Sequence, residues 1–287
     1  MKLIASDLDG TLLNEVGEVS AENASTIKKA LELGIKFVVV SGRSFEYARK
    51  PLLAVGIKCP VICLNGAEIY SEDGQLLKKS PLQKRISQKI LDACLEEDVY
   101  IEIFTNEGGY STSYERFLQV VIDIFETANP HIDKETILQF AGKRFEEEKV
   151  QTVSDFSEVL ADRDIEVLKM LAFSRNHHEL ERIHDNLTNV EQLVMTKSAQ
   201  GNLEFNDPEA QKGIALNHLA NLLGIEMVDV MAMGDHFNDV TMLKMAGIGV
   251  AMGNAEAEIK DLADFITKTN TDHGVAVAIE EMLKKER

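Results

Sequence analysis

At 287 residues, 45 % of them hydrophobic, the chain is long enough for two domains with cores of their own. Its 30 basic and 48 acidic residues leave a net charge of −18, and no basic stripe interleaved with aromatics runs through it, which disfavours nucleic acid or an anionic membrane as a partner. The same charge repels a phosphorylated ligand, so any phosphate site must carry local cations: a divalent metal and at least one lysine. The stretch Met1-Lys2-Leu3-Ile4-Ala5-Ser6-Asp7 is too short in apolar residues for a signal peptide, and no later run approaches the roughly 18 apolar residues of a membrane span. A cytoplasmic protein, monomeric or weakly dimeric, is expected. Cys59, Cys63 and Cys94 show neither Cys-x-x-Cys spacing nor nearby histidines and are expected as buried reduced thiols.

The first predicted element is a strand, Leu3-Ile4-Ala5, that ends in Asp7-Leu8-Asp9-Gly10-Thr11. Alternate residues of an extended chain face the same way, so Asp7 and Asp9 can reach one small volume where glycine turns the chain. A calcium loop is excluded, because its sixth position requires glycine and here holds Leu12, and because a strand rather than a helix precedes it. Ser20 can cap a helix through Ile27 and Leu31 to Gly34. An apolar strand, Ile35 to Val40, then ends in Ser41-Gly42-Arg43, and Val61 to Leu64 ends in Asn65-Gly66. Strand, helix and strand in this order predict a right-handed crossover and a buried parallel sheet, with ligands gathered beyond the carboxyl ends of the strands. A hairpin over Ile69 to Leu77 brings the chain to Pro81.

From Gln83 to about Val190 the strands no longer end in acidic residues. Helices are predicted over Ile86 to Leu95, Phe117 to Ala128, Phe156 to Leu160 and His178 to Leu187, and strands over Val99 to Phe104 and Val167 to Phe173. Glu146-Glu147-Glu148 reads as a solvated helix face or loop. A second hairpin, Leu193 to Met195 with Leu203 to Phe205, leads back to the earlier rhythm. Helix Ile214 to Leu223, strand Val228 to Met233, helix Val240 to Ala246, strand Ile248 to Met252, helix Ile259 to Ala263 and strand Phe265 to Thr267 follow, with the far end of the chain completing the sheet. Residues 1–81 and 191–287 are thus expected to form an α/β, Rossmann-like parallel-sheet core with helices on both faces, and residues 82–190 an inserted α+β domain.

A second cluster, Met233-Gly234-Asp235-His236-Phe237-Asn238-Asp239, again closes an apolar strand with glycine and carboxylates. Should this strand lie beside the first, Asp235 and Asp239 join Asp7 and Asp9. Two like charges about 4 Å apart repel by about 4 kcal/mol at an effective dielectric of 20, so the group calls for a hard cation, and oxygen ligands favour Mg²⁺ over Zn²⁺. Lys212-Gly213, opening a helix, offers a cation for an anionic ligand. Gly247-x-Gly249 with Gly253 lacks dinucleotide-binding spacing.

In this order, Asp7-Leu8-Asp9-Gly10-Thr11, Ser41-Gly42-Arg43, Lys212-Gly213 and Gly234-Asp235 with Asn238-Asp239 resemble the haloacid dehalogenase superfamily of phosphohydrolases, its Cof-type branch in particular. The resemblance covers the whole chain, and Asn65-Gly66-Ala67 and Gly253-Asn254-Ala255 look like accessory motifs of that branch. It implies Asp7 as the nucleophile, Asp9 as general acid and then base, and Ser41 and Lys212 as partners of the phosphoryl oxygens. Gly10, Gly42, Arg43, Asn65 and Asn238 would frame the phosphate and substrate. Mg²⁺ would be held by Asp7, the Asp9 backbone carbonyl, Asp235 and Asp239. Ser41 stands where threonine is common, which keeps the hydroxyl. His236 and Phe237 replace a small and a polar residue, and either vary freely or touch substrate or a metal-bound water.

The inserted domain resembles the α/β cap of this branch, with Asn106-Glu107-Gly108-Gly109-Tyr110 either a loop facing the leaving group or an ordinary turn. The implied activity is Mg²⁺-dependent hydrolysis of small phosphorylated metabolites, sugar phosphates first. Flavin mononucleotide or pyridoxal phosphate is an alternative if Phe104, Tyr110, Tyr114 and Phe117 form a stacking wall rather than core. A phosphomutase or a catalytically silent binding protein is a more distant one.

Overall fold

The computed structural model describes residues 1–128, 134–198 and 201–285. They divide into two compact units, Met1–Lys79 with Glu209–Arg287, and Ser80–Pro208.

Strand β1 (Leu3–Ser6) is buried along its whole length, each large apolar side chain contributing about 1.5–3 kcal/mol by leaving water. Ser20 accepts a hydrogen bond from Asn23 N and starts α1 (Ala21–Glu32), which stops ahead of Gly34 at φ +82°. β2 (Lys36–Val40), α2 (Phe45–Ala54) and β3 (Val61–Cys63) follow. The expected hairpin is β4 (Glu68–Tyr70) and β5 (Leu76–Lys79), turning at Gly74.

The chain then enters the second unit through α3 (Lys84–Glu96), β6 (Tyr100–Thr105), β7 (Gly108–Ser111), α4 (Tyr114–Ala128) and α5 (Lys134–Glu147). β8 (Gln151–Thr152), α6 (Ser157–Ala161), β9 (Val167–Phe173), α7 (His177–Leu187), β10 (Val194–Thr196) and β11 (Asn202–Asn206) complete it. Back in the first unit come α8 (Lys212–Leu222), β12 (Val230–Gly234), α9 (Val240–Met245), β13 (Ile248–Ala251), α10 (Ala257–Leu262), β14 (Phe265–Ile266) and α11 (Gly274–Lys285).

In the first unit the strand order is β14-β13-β12-β1-β2-β3-β4-β5. Pairing is parallel from β14 to β3 and antiparallel at the β4–β5 edge. β1 is the point where the winding reverses: later strands are laid down on one side of it from β2, and on the other from β12. That is where an open parallel sheet leaves a crevice at its carboxyl end. Helices α1 and α11 pack on each other, as do α8 and α9, and one apolar core runs through this unit from Leu3 to Met282. As expected, strands from the far part of the chain, β12, β13 and β14, complete the sheet, and the helix α11 follows them.

The second unit is a sheet of order β10-β11-β9-β6-β7-β8, antiparallel except for β7–β8. Ile101, Ile103, Met170, Ala172, Leu203 and Phe205 on one face pack with Ile86 and Ile90 of α3 and Leu180 and Ile183 of α7. Because β11 pairs with β9, the β10–β11 hairpin belongs to this sheet. The division therefore falls at Ser80 and at Glu209, in place of the boundaries at 82 and 190 read from the sequence.

Asn106 and Glu107 make the turn, but Gly108 to Tyr110 lie in β7, where Gly109 lets the backbone pass Val150: a Cβ there would sit 3.0 Å from Val150 Cγ2. Phe104, Tyr110 and Phe117 are buried, and Tyr110 joins the larger core. Glu146 is exposed whereas Glu148 is buried. His177 and His178 open α7 on the surface. All three cysteines are free thiols and buried. Among the described residues no helix is long and apolar enough to cross a membrane.

Candidate active site

The site is assembled where β1, β2 and β12 end side by side. Ser6 is in register with Met233 on one side and Val39 on the other, and Asp7 N donates to Met233 O at 3.0 Å. Asp7 follows β1 directly, Asp235 follows β12, and Ser41 follows β2. From above, α8 brings Lys212, its first residue, whose side chain is 1 % exposed. Lys212 Nζ donates to Asp7 Oδ1 at 2.7 Å and to Asp239 Oδ1 at 2.6 Å.

Asp239 is held from both ends. Its Oδ2 accepts from the backbone N–H groups of Asp235 (2.9 Å) and His236 (3.0 Å), which fixes the loop after β12 as a tight turn. Gly234 is required beneath it, since a Cβ there would lie 2.5 Å from the Asp239 side chain. Thr11 Oγ1 donates to Asp235 Oδ1 at 2.7 Å. Gly10 turns the chain at φ +76° within van der Waals reach of Asp235, where a Cβ would meet Oδ2 at 2.3 Å. Asn254 Nδ2 donates to Gly10 O at 2.8 Å and holds that turn from the other side.

Ser41 is buried, and its Oγ accepts from Arg43 N at 3.2 Å. Asn65 N donates to Ser41 O at 3.0 Å, and Asn238 Nδ2 reaches Asn65 Oδ1 at 3.4 Å, so β2, β3 and β12 are joined across the site. Leu64, Asn65 and Gly66 take successive positive φ values of 49°, 62° and 108°. Backbone strain of this kind persists where surrounding structure enforces it. Arg43 is turned toward Asp9: Nε donates to Oδ2 at 2.8 Å and Nη2 to Oδ1 at 2.5 Å.

The sequence-predicted residues Asp7, Asp9, Gly10, Ser41, Gly42, Arg43, Asn65, Lys212, Asp235, Asn238 and Asp239 thus all belong to the turns and helix start that ring the ends of these strands. Sequence reasoning left out the hydroxyl of Thr11 and the carboxamide of Asn254 as hydrogen-bonding partners. Both stand inside motifs that were noted, so the spacing could have flagged them. His236 and Phe237 lie edge to face, 5.3 Å between centroids, and Phe237 is 40 % exposed.

Asp7, Asp235 and Asp239 offer carboxylate oxygens that all lie within 4.8 Å of one another, a group able to hold a metal ion. One lysine cannot neutralise three carboxylates. Burial pushes the Asp7 carboxyl well above the ordinary range; Lys212 offsets part of this, while Asp239, Asp235 and Asp9 add to it. Asp235 is pushed up to about 7 by burial and then by Asp239, against the opposing pull of the Thr11 hydrogen bond and Lys212. Burial works against the charge of Lys212, but Asp239 and Asp7 outweigh it and hold the ammonium above the usual lysine range. Both oxygens of Asp239 are engaged within the protein. Asp7 Oδ2 and Asp235 Oδ2 accept no hydrogen bond from a described residue.

A parallel α/β core whose winding reverses at a paired-carboxylate strand end, with a buried lysine and a second acidic loop, defines a phosphoryl-transfer hydrolase of the haloacid dehalogenase type. The chain belongs to the haloacid dehalogenase-like hydrolase family, whose sequence profile matches residues 4–279, and it is a phosphatase of Cof type. Phosphatase YwpJ of Bacillus subtilis (strain 168) is 38 % identical over 285 residues, 99 % of this chain and 100 % of that protein. The same organism's 5-amino-6-(5-phospho-D-ribitylamino)uracil phosphatase YwtE is 33 % identical over 284 residues, 99 % of this chain and 98 % of that one. A solved haloacid dehalogenase-like hydrolase from B. subtilis superposes with a TM-score of 0.91 at 37 % identity, covering 98 % of this chain and 100 % of its own.

Proposed function

We propose that the protein is a Mg²⁺-dependent phosphomonoester hydrolase that forms an aspartyl-phosphate on Asp7 and acts on small phosphorylated metabolites, sugar phosphates and phosphorylated sugar-like chains foremost. The observation that carries this reading is the buried Asp7–Lys212–Asp239 bridge, with Asp235 beside it and Asp9 two residues along the chain.

The donor set fits Mg²⁺. It consists of hard carboxylate oxygens gathered in a buried cluster, where burial first and then the neighbouring carboxylates hold the Asp7 and Asp235 carboxyls above their ordinary range. Asp7, Asp235 and the Asp9 backbone carbonyl would hold the ion, with Asp239 and Asn238 bracing the loop. When bound, it would neutralise charge on the phosphoryl group and on the carboxylates together.

Lys212 fixes Oδ1 of Asp7, which leaves Oδ2 to attack phosphorus. The bond from phosphorus to the leaving oxygen breaks, its electron pair stays on that oxygen, and Asp9 supplies the proton. Since Ser41 Oγ accepts from Arg43 N–H, its own hydrogen remains to donate to a phosphoryl oxygen. In the second half, water attacks phosphorus, its proton passes to Asp9, and the bond between Asp7 and phosphorus breaks to release inorganic phosphate.

YwtE is named for a substrate with its phosphate on a ribityl chain, which supports a polyol-like leaving group here. Burial of Phe104, Tyr110 and Phe117 in packing speaks against those aromatics as a wall for flavin or pyridoxal rings. The test is phosphate release from a panel of sugar phosphates, flavin mononucleotide and pyridoxal phosphate, with Mg²⁺ or EDTA, for wild type and Asp7→Asn. Turnover confined to wild type with Mg²⁺ supports the mechanism and ranks the substrates; turnover that survives in Asp7→Asn overturns it.

A further inference from the structure

Asp9 must receive a proton from water in the second half-reaction, yet its side chain is 61 % exposed. An exposed carboxylate samples several rotamers, and a general base works only when it is aimed. The backbone around it is already fixed by Gly10 at φ +76° and by the hydrogen bond from Asn254 to Gly10 O. What fixes the carboxylate itself is Arg43, whose Nε and Nη2 grip one oxygen each. Arg43 is in turn held in place: it is only 13 % exposed, its guanidinium lies 4.0 Å over the ring of Tyr47, its N–H bonds Ser41 Oγ, and its carbonyl accepts from Leu64 N at 2.9 Å.

A fork of this kind occupies two of the roughly four lone-pair positions of an ionised carboxylate and leaves the others open to a proton. The form of Asp9 that it holds is therefore the one left after the leaving oxygen has taken its proton, and the one that accepts a proton from water. We propose that Arg43, stacked on Tyr47, is the positioning residue of the dephosphorylation step, aiming Asp9 as the base, rather than a ligand of the substrate's phosphate. This rests on the aspartyl-phosphate reading above.

The test uses the Mg²⁺-loaded enzyme and 4-nitrophenyl phosphate, whose leaving group departs as a phenolate and needs no proton from Asp9. The first half-reaction, read by kcat/KM, is then insulated from Arg43, while the second, read by kcat, is not. Arg43→Gln is expected to lower kcat by about 10- to 100-fold, part of the range open to a general base. It should change kcat/KM by less than about 3-fold and release a burst of one nitrophenolate per active site. Tyr47→Leu is expected to show the same split in weaker form, about 3- to 10-fold in kcat, and carries the test should Arg43→Gln fail to fold. A rise in KM, with kcat/KM falling further than kcat, would make Arg43 a phosphate ligand and overturn the proposal. No change in either constant would reduce the pair to a surface contact. Turnover surviving in Asp7→Asn would instead remove the aspartyl-phosphate on which both readings stand.

Discussion

Replacing Lys212 by methionine keeps most of the side-chain volume and removes the only ammonium that, among the described residues, pairs with the Asp7, Asp235 and Asp239 carboxylates. At 2.7 and 2.6 Å from its two partners, each attraction amounts to about 6 kcal/mol at an effective dielectric of 20. Desolvating a buried ammonium returns several kcal/mol of that, and removing one partner from a buried ion pair costs about 3–5 kcal/mol in net stability. For a protein of this size this corresponds to a melting temperature lower by roughly 6–20 °C.

The loss depends on pH in a definite direction. Asp7 and Asp235 bind protons more tightly when folded than the ordinary carboxylate value of 3.8, so the folded state carries more protons than the unfolded one. Its stability then falls as pH rises from about 4 through the raised folded values. Without Lys212 the repulsion among the carboxylates deepens, and the deficit must be larger at pH 8 than at pH 5. Thermal unfolding followed by circular dichroism, in EDTA at both pH values, reads this directly. A variant that melts with wild type at pH 8, or that loses more at pH 5 than at pH 8, refutes the argument.

Asp7→Asn is expected to lower phosphate release by at least about 10³-fold while leaving the far-ultraviolet spectrum unchanged, because the amide is isosteric but a poor nucleophile. Thr11→Val removes the hydrogen bond that orients Asp235. Its Mg²⁺ affinity, from titrations of activity or of melting temperature, should fall by about 10- to 100-fold, and an unchanged affinity would deny Thr11 that role. Gly10→Ala forces a Cβ to 2.3 Å from Asp235 Oδ2 at a positive φ; a stability loss of about 1–3 kcal/mol together with collapse of turnover is expected in urea unfolding and activity assays. In EDTA the wild-type melting temperature should drop between pH 5 and 8, and 10-fold steps of Mg²⁺ at pH 8 should raise it progressively, as mass action requires.

What the sequence disclosed best were features written into contiguous residues. A strand that stops at Asp7-x-Asp9-Gly10, or at Gly234-Asp235, announces both its own end and the chemistry placed there. The lysine at the head of α8 was visible as a residue, but its burial and double ion pair were not, since Asp7 lies 205 positions away. Likewise the bond of Arg43 to Asp9 spans 34 positions and that of Thr11 to Asp235 spans 224. Such contacts are decided by the order of strands, to which local periodicity is blind. β7 escaped because Gly108 and Gly109 have poor strand propensity, and it is the pairing with β6 and the close approach of Val150 that make them a strand. The hairpin β10–β11 was recognised but assigned to the wrong unit, because an alternating pattern specifies a sheet without saying which one.

The placement of β1 between β2 and β12 has a consequence for the order of events during synthesis. When the ribosome has delivered the first 79 residues, β1 has one neighbour and presents an edge of unpaired backbone N–H and C=O groups on a mainly apolar strand. Residues 80–208 form a unit with its own core and sheet, whereas the first unit gains its central pairing only once β12 has emerged, some 190 residues after β2. A nascent chain stalled before Val230 therefore carries a finished insertion attached to an unfinished sheet. It is at that stage, more than in the completed protein, that this fold exposes itself to aggregation and calls for a chaperone.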